Sequence, residues 1–212
     1  HGKGMFVSLS QTEAFTDALL TSLRRDGASA WDVEQFERLL LPRVFALAAA
    51  EASESEIITI DEAAQQYLDI FTKMSREEMA ADDETMHVLQ GTAQTAFRNF
   101  MRTVFSATHN KLIMLLGEVL LDLRKWRTVV VDERDNTRIL ALERETITVY
   151  VEAVKTKDPN IAAGKIEERL TYDEELKRVM KETPVGESPV IPGELFFAAY
   201  GGGKAPELQR PD

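Results

Sequence analysis

The chain has 212 residues, a net charge of -11 and no cysteine, which excludes disulfide frameworks and thiolate chemistry. Its length suits one sizeable core with appendages, and its acidity argues against a phosphate-binding surface over most of the chain, since nucleic-acid affinity comes mainly from clustered Lys and Arg. No apolar run is long enough to span a bilayer and no signal peptide opens the chain, so we expect a soluble, cytoplasmic protein without a membrane partner.

Residues 1–9 place two glycines around a lysine before the β-type residues 5–7. This pattern is typical of a hairpin turn that leads into one short strand. One strand is not stable by itself, and no initiator methionine precedes it. We therefore expect residues 1–9 to end a domain that begins upstream, with a disordered remnant as the alternative.

Capping signals divide the following residues into helices. A Ser followed three residues later by Asp or Glu has the spacing of a capping box, in which side chains satisfy backbone N–H groups at a helix start. That spacing occurs at Ser10/Glu13, Ser29/Asp32, Ser53/Glu56 and Ser75/Glu78. Asn110 and Asp158-Pro159 provide two further helix starts. The first signal predicts a linker helix over residues 10–28.

The later helices are predicted from their apolar residues. The helix after Asn110 is expected to reach about Val131, and the last helix to run from Pro159 to about Lys181. Residues 146–151 are β-branched enough to suggest a strand, but helical flanks and the lack of a partner strand favour a helix. The fold class is therefore an all-α antiparallel bundle of six to seven helices. Its domain covers residues 29–183, and residues 184–212 form a Pro/Gly-rich tail.

One helical face in the middle of the chain is strongly apolar. Its members follow the i, i+3, i+4, i+7, i+8 spacing of a single helical face and are Phe97, Phe100, Met101, Val104 and Phe105. Such a face lines either an apolar ligand pocket or an ordinary core.

Asp83 and His87 form the most reactive-looking pair, because an i, i+4 spacing on a helix allows both side chains to bind one metal ion. Two ligands make a weak site, and His109 is the only other internal imidazole. A solvated acidic helix face is the alternative. The chain contains no glycine-rich phosphate loop, Ser-His-Asp set or nucleophile elbow, so we do not expect an enzyme.

The order of several segments resembles the GntR superfamily of bacterial transcription regulators, in its FadR-type branch. They are GKGMFV, a linker helix, LLPRVFALAAAEASESE, SATHNKLI and AVKTKDPNIAAGKIEERL. The resemblance implies that residues 1–9 end the wing of a winged helix-turn-helix, with Gly2, Lys3 and Gly4 at the DNA. It further implies that operator DNA binds through the upstream part of that domain, and that residues 29–183 bind an effector and form a homodimer.

In that family the effector domain holds a metal through an Asp-x-x-x-His pair before the small-x-Asn turn and two later histidines. Counting back from Asn110 places Phe97 and Met101 at the first pair, and the later positions fall near Ile147 and Arg169. These residues are poor metal ligands, so the resemblance implies a metal-free, apolar site for an acyl-CoA-like or organic-acid effector and no cofactor.

The expected ligand-binding site combines apolar side chains with an arginine, Arg38 or Arg102, that would hold a carboxylate. They are Arg38, Phe97, Met101, Arg102, Ile147 and Tyr150. Two alternatives remain at this point. One is a divalent-metal site at Asp83 and His87, in a carboxylate-sensing domain or a helical metal-dependent enzyme. The other is a helical scaffold that binds no small molecule.

Overall fold

The computed structural model describes residues 9–77, 83–126, 130–132, 136–170, 174–187 and 189–194. The helices within these ranges are α1 (Leu9–Arg25), α2 (Ala30–Glu51), α3 (Glu54–Glu77), α4 (Asp83–Ser106), α5 (Lys111–Trp126), α6 (Asn136–Lys155), α7 (Pro159–Arg169) and α8 (Glu174–Glu182). Two short strands are β1 (Val130–Asp132) and β2 (Val190–Pro192). The predicted all-α class is confirmed. The predicted wing strand and its residues Gly2, Lys3 and Gly4 lie outside the described residues.

Several helices begin where their capping residues predict. The hydroxyl and the backbone N–H of Ser29 both donate to Oδ2 of Asp32 at 2.7 Å, and these two hydrogen bonds lower the pKa of the Asp32 carboxyl. Oδ1 of Asn110 accepts from the N–H groups of Leu112 and Ile113 at 3.0 and 3.2 Å. Asp158 caps α7 in the same way, with proline at the first helical position. Local side-chain chemistry therefore sets these boundaries.

Three boundaries differ from the prediction. Ser75 lies inside α3, because partly buried Phe71 and Met74 extend the packing of that helix against the core. α5 ends at Trp126, and Val131 belongs to β1, which pairs in parallel with β2. The last predicted helix is split into α7 and α8, so eight helices are described where six to seven were expected. The position of Val131 depends on a strand about sixty residues later in the chain.

The main core lies inside a ring of four helices. α3 packs against α4 and α6, and α2 packs against the same two helices. α2 and α3 therefore occupy opposite corners of the ring, as do α4 and α6. Fully buried side chains fill the centre, including Phe45, Ile60, Phe100, Met101, Val104 and Ile147.

The remaining helices pack outside this ring. α7 packs against α2 and α6, while α5 packs against both α4 and α1. A small second cluster joins Leu20 of α1 to Val119 and Leu123 of α5. α8 packs against α2, with Leu176 and Met180 fully buried. Within the described ranges, the helices are too short or too polar to cross a membrane.

Candidate functional site

Four of the predicted ligand-binding residues lie together in the main core. Met101 of α4 and Ile147 and Tyr150 of α6 are buried members of one hydrophobic cluster, and half-buried Phe97 packs against it. They come from α4 and α6, which face each other across the ring. These side chains pack in the centre of the core and stabilise the fold.

Aromatic rings from the other two helices, α2 and α3, belong to the same cluster. The ring of Phe45 in α2 lies 4.8 Å from the ring of Tyr150, and Tyr67 of α3 meets Phe97 edge-on at 5.3 Å. The Tyr67 hydroxyl donates to Oε1 of Glu143 at 2.7 Å, so its polar end is satisfied by α6. Phe45 and Tyr67 were not among the expected site residues, although their positions on the inward faces of two apolar helices are the signal that identifies them.

Two arginine–threonine hydrogen bonds join α6 to its neighbours. Nε of Arg169, in the last turn of α7, donates to Oγ1 of Thr146 at 3.0 Å, and Thr146 directly precedes Ile147. On another side of α6, Arg144 donates to the hydroxyl of Thr72 in α3 at 3.0 Å. Arg169 thus links α7 to α6, and Arg144 links α6 to α3.

Arg38 lies against the end of α7. Its Nε donates to the backbone oxygen of Leu170 at 2.6 Å, and its guanidinium carbon lies 5.6 Å from the centre of the Trp31 ring. Lys177 of α8 lies over the same ring, also at 5.6 Å. Arg38 therefore caps the carboxyl end of α7, where a positive group is favoured by the unpaired carbonyls.

Arg102 is paired with a carboxylate of the protein itself. Its Nε and Nη2 donate to the two oxygens of Glu118 in α5, and this bidentate pair raises the pKa of the guanidinium. One turn earlier on α4, Arg98 pairs with Asp122 and also lies 3.5 Å from Glu118. A ligand carboxylate at Arg102 would have to displace Glu118.

The alternative metal pair lies at the start of α4. Asp83 and His87 both lie in α4, on successive turns, but their side chains fall outside the described set. Among the residues that the structure does describe, no group of three or more His, Asp or Glu side chains is arranged to hold a metal ion.

Segments that carry the family resemblance meet at one end of the bundle. His109, in the turn between α4 and α5, places Nε2 2.8 Å from Oε1 of Glu56 at the start of α3. Lys157, after α6, donates from Nζ to the backbone oxygen of Ala52 and lies 3.4 Å from Glu54. The turn after α4, the turn after α6 and the α2–α3 junction are thus joined by polar contacts.

Comparison with family models, curated proteins and solved structures finds no match to this chain. Membership of the GntR superfamily therefore stays a prediction from the order of the motifs.

Proposed function

We propose that this chain is the effector-binding and dimerisation domain of a ligand-responsive transcription regulator of the GntR superfamily, and that it is not an enzyme. The observation that carries the proposal is that Phe97 and Met101 of α4 belong to the same hydrophobic cluster as Ile147 and Tyr150 of α6, the helix on the opposite side of the ring. The sequence resemblance assigns effector-site positions to these two helices. Their side chains are apolar, so the favoured effector is an acyl-CoA-like or other aliphatic acid bound without a metal.

A second observation supports the family assignment. The segments that carry the resemblance are far apart in the chain, yet His109, Glu56, Lys157 and Ala52 link them at one end of the bundle. The contacts bring these segments together in one structural unit. This is what the resemblance implies for segments of a single effector-binding domain.

Arg169 is the best candidate to hold the carboxylate of such an effector. Arg102 is bound by Glu118 of the protein itself. Arg169 donates to the hydroxyl of Thr146, on the helix that also carries Ile147 and Tyr150. Thr146 also directly precedes Ile147, so the acid group and the apolar chain are held side by side.

The regulatory mechanism is a population shift. A ligand between α4 and α6 favours one arrangement of these helices. Arg98 directly follows Phe97 and pairs with Asp122, which also bonds Thr16 of α1. We propose that α1, the linker helix, transmits the change to the spacing of two winged helices on operator DNA.

Native mass spectrometry of the purified chain, with metal analysis of the same sample, tests this proposal. We expect a dimer without stoichiometric metal, and an added mass where effector is retained. Dodecanoyl-CoA and dodecanoate are then added as probes, and the melting temperature is measured. At least one probe is expected to raise it, because binding to the folded state stabilises it.

Variants locate the site. Phe97→Ala and Arg169→Ala are expected to weaken binding of the active probe by about tenfold or more, since each removes an apolar or charged contact. Val88→Ala is the control, because Val88 is an exposed residue of the same helix. Stoichiometric zinc, nickel or manganese that is lost in His87→Ala would instead support the metal-dependent alternative. Equal affinity of the probe for the wild type and for all variants would refute the proposed effector-binding site.

A further inference from the structure

The segment that follows α8 crosses the junction between α1 and α2. The backbone N–H of Ala30 donates to the carbonyl oxygen of Thr183 at 2.8 Å, and the N–H of Val185 donates to the carbonyl oxygen of Ala28 at 2.9 Å. The two residues between these bonds form an isolated antiparallel bridge. We call residues 183–187 the strap, because this short segment ties the α1–α2 junction to a part of the chain that is distant in sequence.

The strap is fixed at both ends by contacts that do not involve α1. Leu176 and Met180 of α8, before the strap, and Ile191 of β2, after it, are fully buried in one cluster with Ala30 and Trp31 at the start of α2. A short segment whose two ends are already held loses little conformational entropy when it becomes ordered. The strap is therefore a preformed surface on which α1 can dock.

The strap contacts α1 through one buried side chain and two carbonyl groups. Val185 lies in the small cluster that contains Leu20 of α1 and Val119 of α5. Arg24, in the last turn of α1, donates from Nε to the carbonyl oxygen of Val185 at 3.3 Å and from Nη2 to that of Gly186 at 3.5 Å. Both bonds are charge-assisted, which makes them stronger than neutral ones. α1 is thus held both by α5 and by the strap.

Gly186 suits this contact in two ways. Its φ is 85°, a left-handed conformation that glycine adopts at little cost. A Cβ atom at this position would also collide with the guanidinium group of Arg24. Glycine therefore permits both the turn of the strap and the close approach of Arg24.

We infer that α1 opens and closes on the bundle as a separate unit, and that the strap controls this opening. α1 is joined to α5 through the small cluster and through the bond from Thr16 to Asp122. Elements with few buried apolar contacts open at a lower free energy than the main core does. Contacts with Val185 and Gly186 exist only while α1 is docked, so they set how often it opens while the ring of four helices stays folded.

The opening itself requires neither an effector nor DNA. Its regulatory meaning rests on the proposed function, in which α1 leads to the DNA-binding domain. There the strap gives the segment after α8 control over the position of the linker helix.

Hydrogen exchange of the full chain, followed by mass spectrometry, tests the inference. In the wild type, the amides of α1 are expected to exchange faster than the slowest amides of the four-helix ring. Arg24→Ala and Val185→Ala should each accelerate α1 exchange by about tenfold or more, because each removes contacts that the open state lacks. Arg24 is exposed, so Arg24→Ala decides the matter if Val185→Ala does not fold.

Two matched controls separate opening of α1 from general destabilisation. Arg25→Ala removes the neighbouring arginine, which pairs with Asp26 at the surface, and should leave α1 exchange unchanged. Val104→Ala repeats the valine substitution in the buried centre of the ring. It should accelerate the slowest amides of the ring and leave α1 exchange unchanged, because the open state of α1 keeps that core intact.

A double-mutant cycle tests the contact at Gly186. Gly186→Ala should accelerate α1 exchange more in the wild type than in Arg24→Ala, because the collision requires the guanidinium group, whereas the backbone strain is present in both.

Three results would overturn the inference. They are α1 amides that exchange no faster than the slowest ring amides in the wild type, α1 exchange that is unchanged in both Arg24→Ala and Val185→Ala, and α1 exchange that follows Val104→Ala. A chain that gives any of these results and still binds dodecanoyl-CoA leaves the effector proposal standing. A chain that binds no probe but shows the expected exchange keeps the strap, so the two proposals fail separately.

Discussion

Thr16 of α1 donates its hydroxyl hydrogen to Oδ2 of Asp122 in α5 at 3.3 Å, and both side chains are buried. The same carboxylate binds Arg98 of α4. Three helices are therefore joined at one charged group. Through this carboxylate, the position of α1 depends on α4, as the proposed regulatory mechanism requires.

Removal of this carboxylate is expected to loosen α1. Asp122→Ala leaves Arg98 and Thr16 without a shared partner and should lower the free energy of unfolding by about 2–3 kcal/mol. Thr16→Val removes the hydroxyl that bonds Asp122 but keeps the pair of Asp122 with Arg98, and should cost about 1 kcal/mol. Urea denaturation measures the free energy, and hydrogen exchange should show faster exchange of α1 amides in both variants. Glu118→Gln is the control, since Glu118 pairs with Arg98 and Arg102 of α4. Unchanged α1 exchange in Asp122→Ala would contradict the coupling.

Gly117 and Gly91 should respond oppositely to alanine. A Cβ atom at Gly117 would collide with the buried ring of Phe105, whereas nothing lies within 4 Å of a Cβ at Gly91. Gly117→Ala is therefore expected to destabilise the fold by about 1–3 kcal/mol through overpacking. Gly91→Ala should stabilise it by roughly 0.5–1 kcal/mol, because alanine favours a helix interior. Thermal unfolding of the two variants compares them, and a stabilised Gly117→Ala would show that α4 and α5 are not packed as described.

Glu56 should make stability fall in acid. Its pKa is lowered to about 2 by the N–H of Ser53, by His109 and by the Ser53 hydroxyl. A carboxyl with a lowered folded-state pKa contributes stability that is present above its unfolded value of about 4.5 and is lost as the pH falls toward 2. The stability gap between wild type and Glu56→Gln should therefore shrink between pH 5 and pH 2, the range set by these two values. Denaturant titrations at several pH values measure it, with Glu62→Gln of α3 as the control for the loss of one charge. A gap that widens in acid would contradict the assigned contacts.

Lys157 combines a side-chain cap with an unfavourable backbone. Its φ is 55°, which is costly for a residue with a Cβ, while its ammonium group caps Ala52 at the end of α2. Lys157→Ala loses the cap and keeps the strain, but Lys157→Gly loses the cap and relieves the strain. The glycine variant is therefore expected to be about 1 kcal/mol more stable than the alanine variant, as measured by denaturant midpoints. Equal stability of the two would mean that the left-handed turn is not retained in solution.

The local chemistry of the chain was sufficient to predict where many helices begin. Asp32, Glu56, Asn110 and Asp158 all form the predicted capping bonds, because an N-cap acts on backbone groups two or three residues away. Residues 146–151 are helical despite their β-branched side chains, since burial on α6 outweighs a weak local preference. The ends of helices were harder to predict from the sequence. For example, α5 stops before β1, and β1 pairs with a segment about sixty residues later.

By itself, the sequence determined the all-α class, many of the helix starts and the apolar faces of α4 and α6, because these depend on spacing within a few turns. Only the tertiary structure decided which charged groups are already engaged. Arg38 and Arg102 are equivalent candidates in the sequence, but Leu170 and Glu118 bind them in the fold, whereas Arg169 lies next to Thr146 beside the apolar residues. The partner of a long charged side chain is set by which distant helix packs alongside it, and no local pattern records that choice.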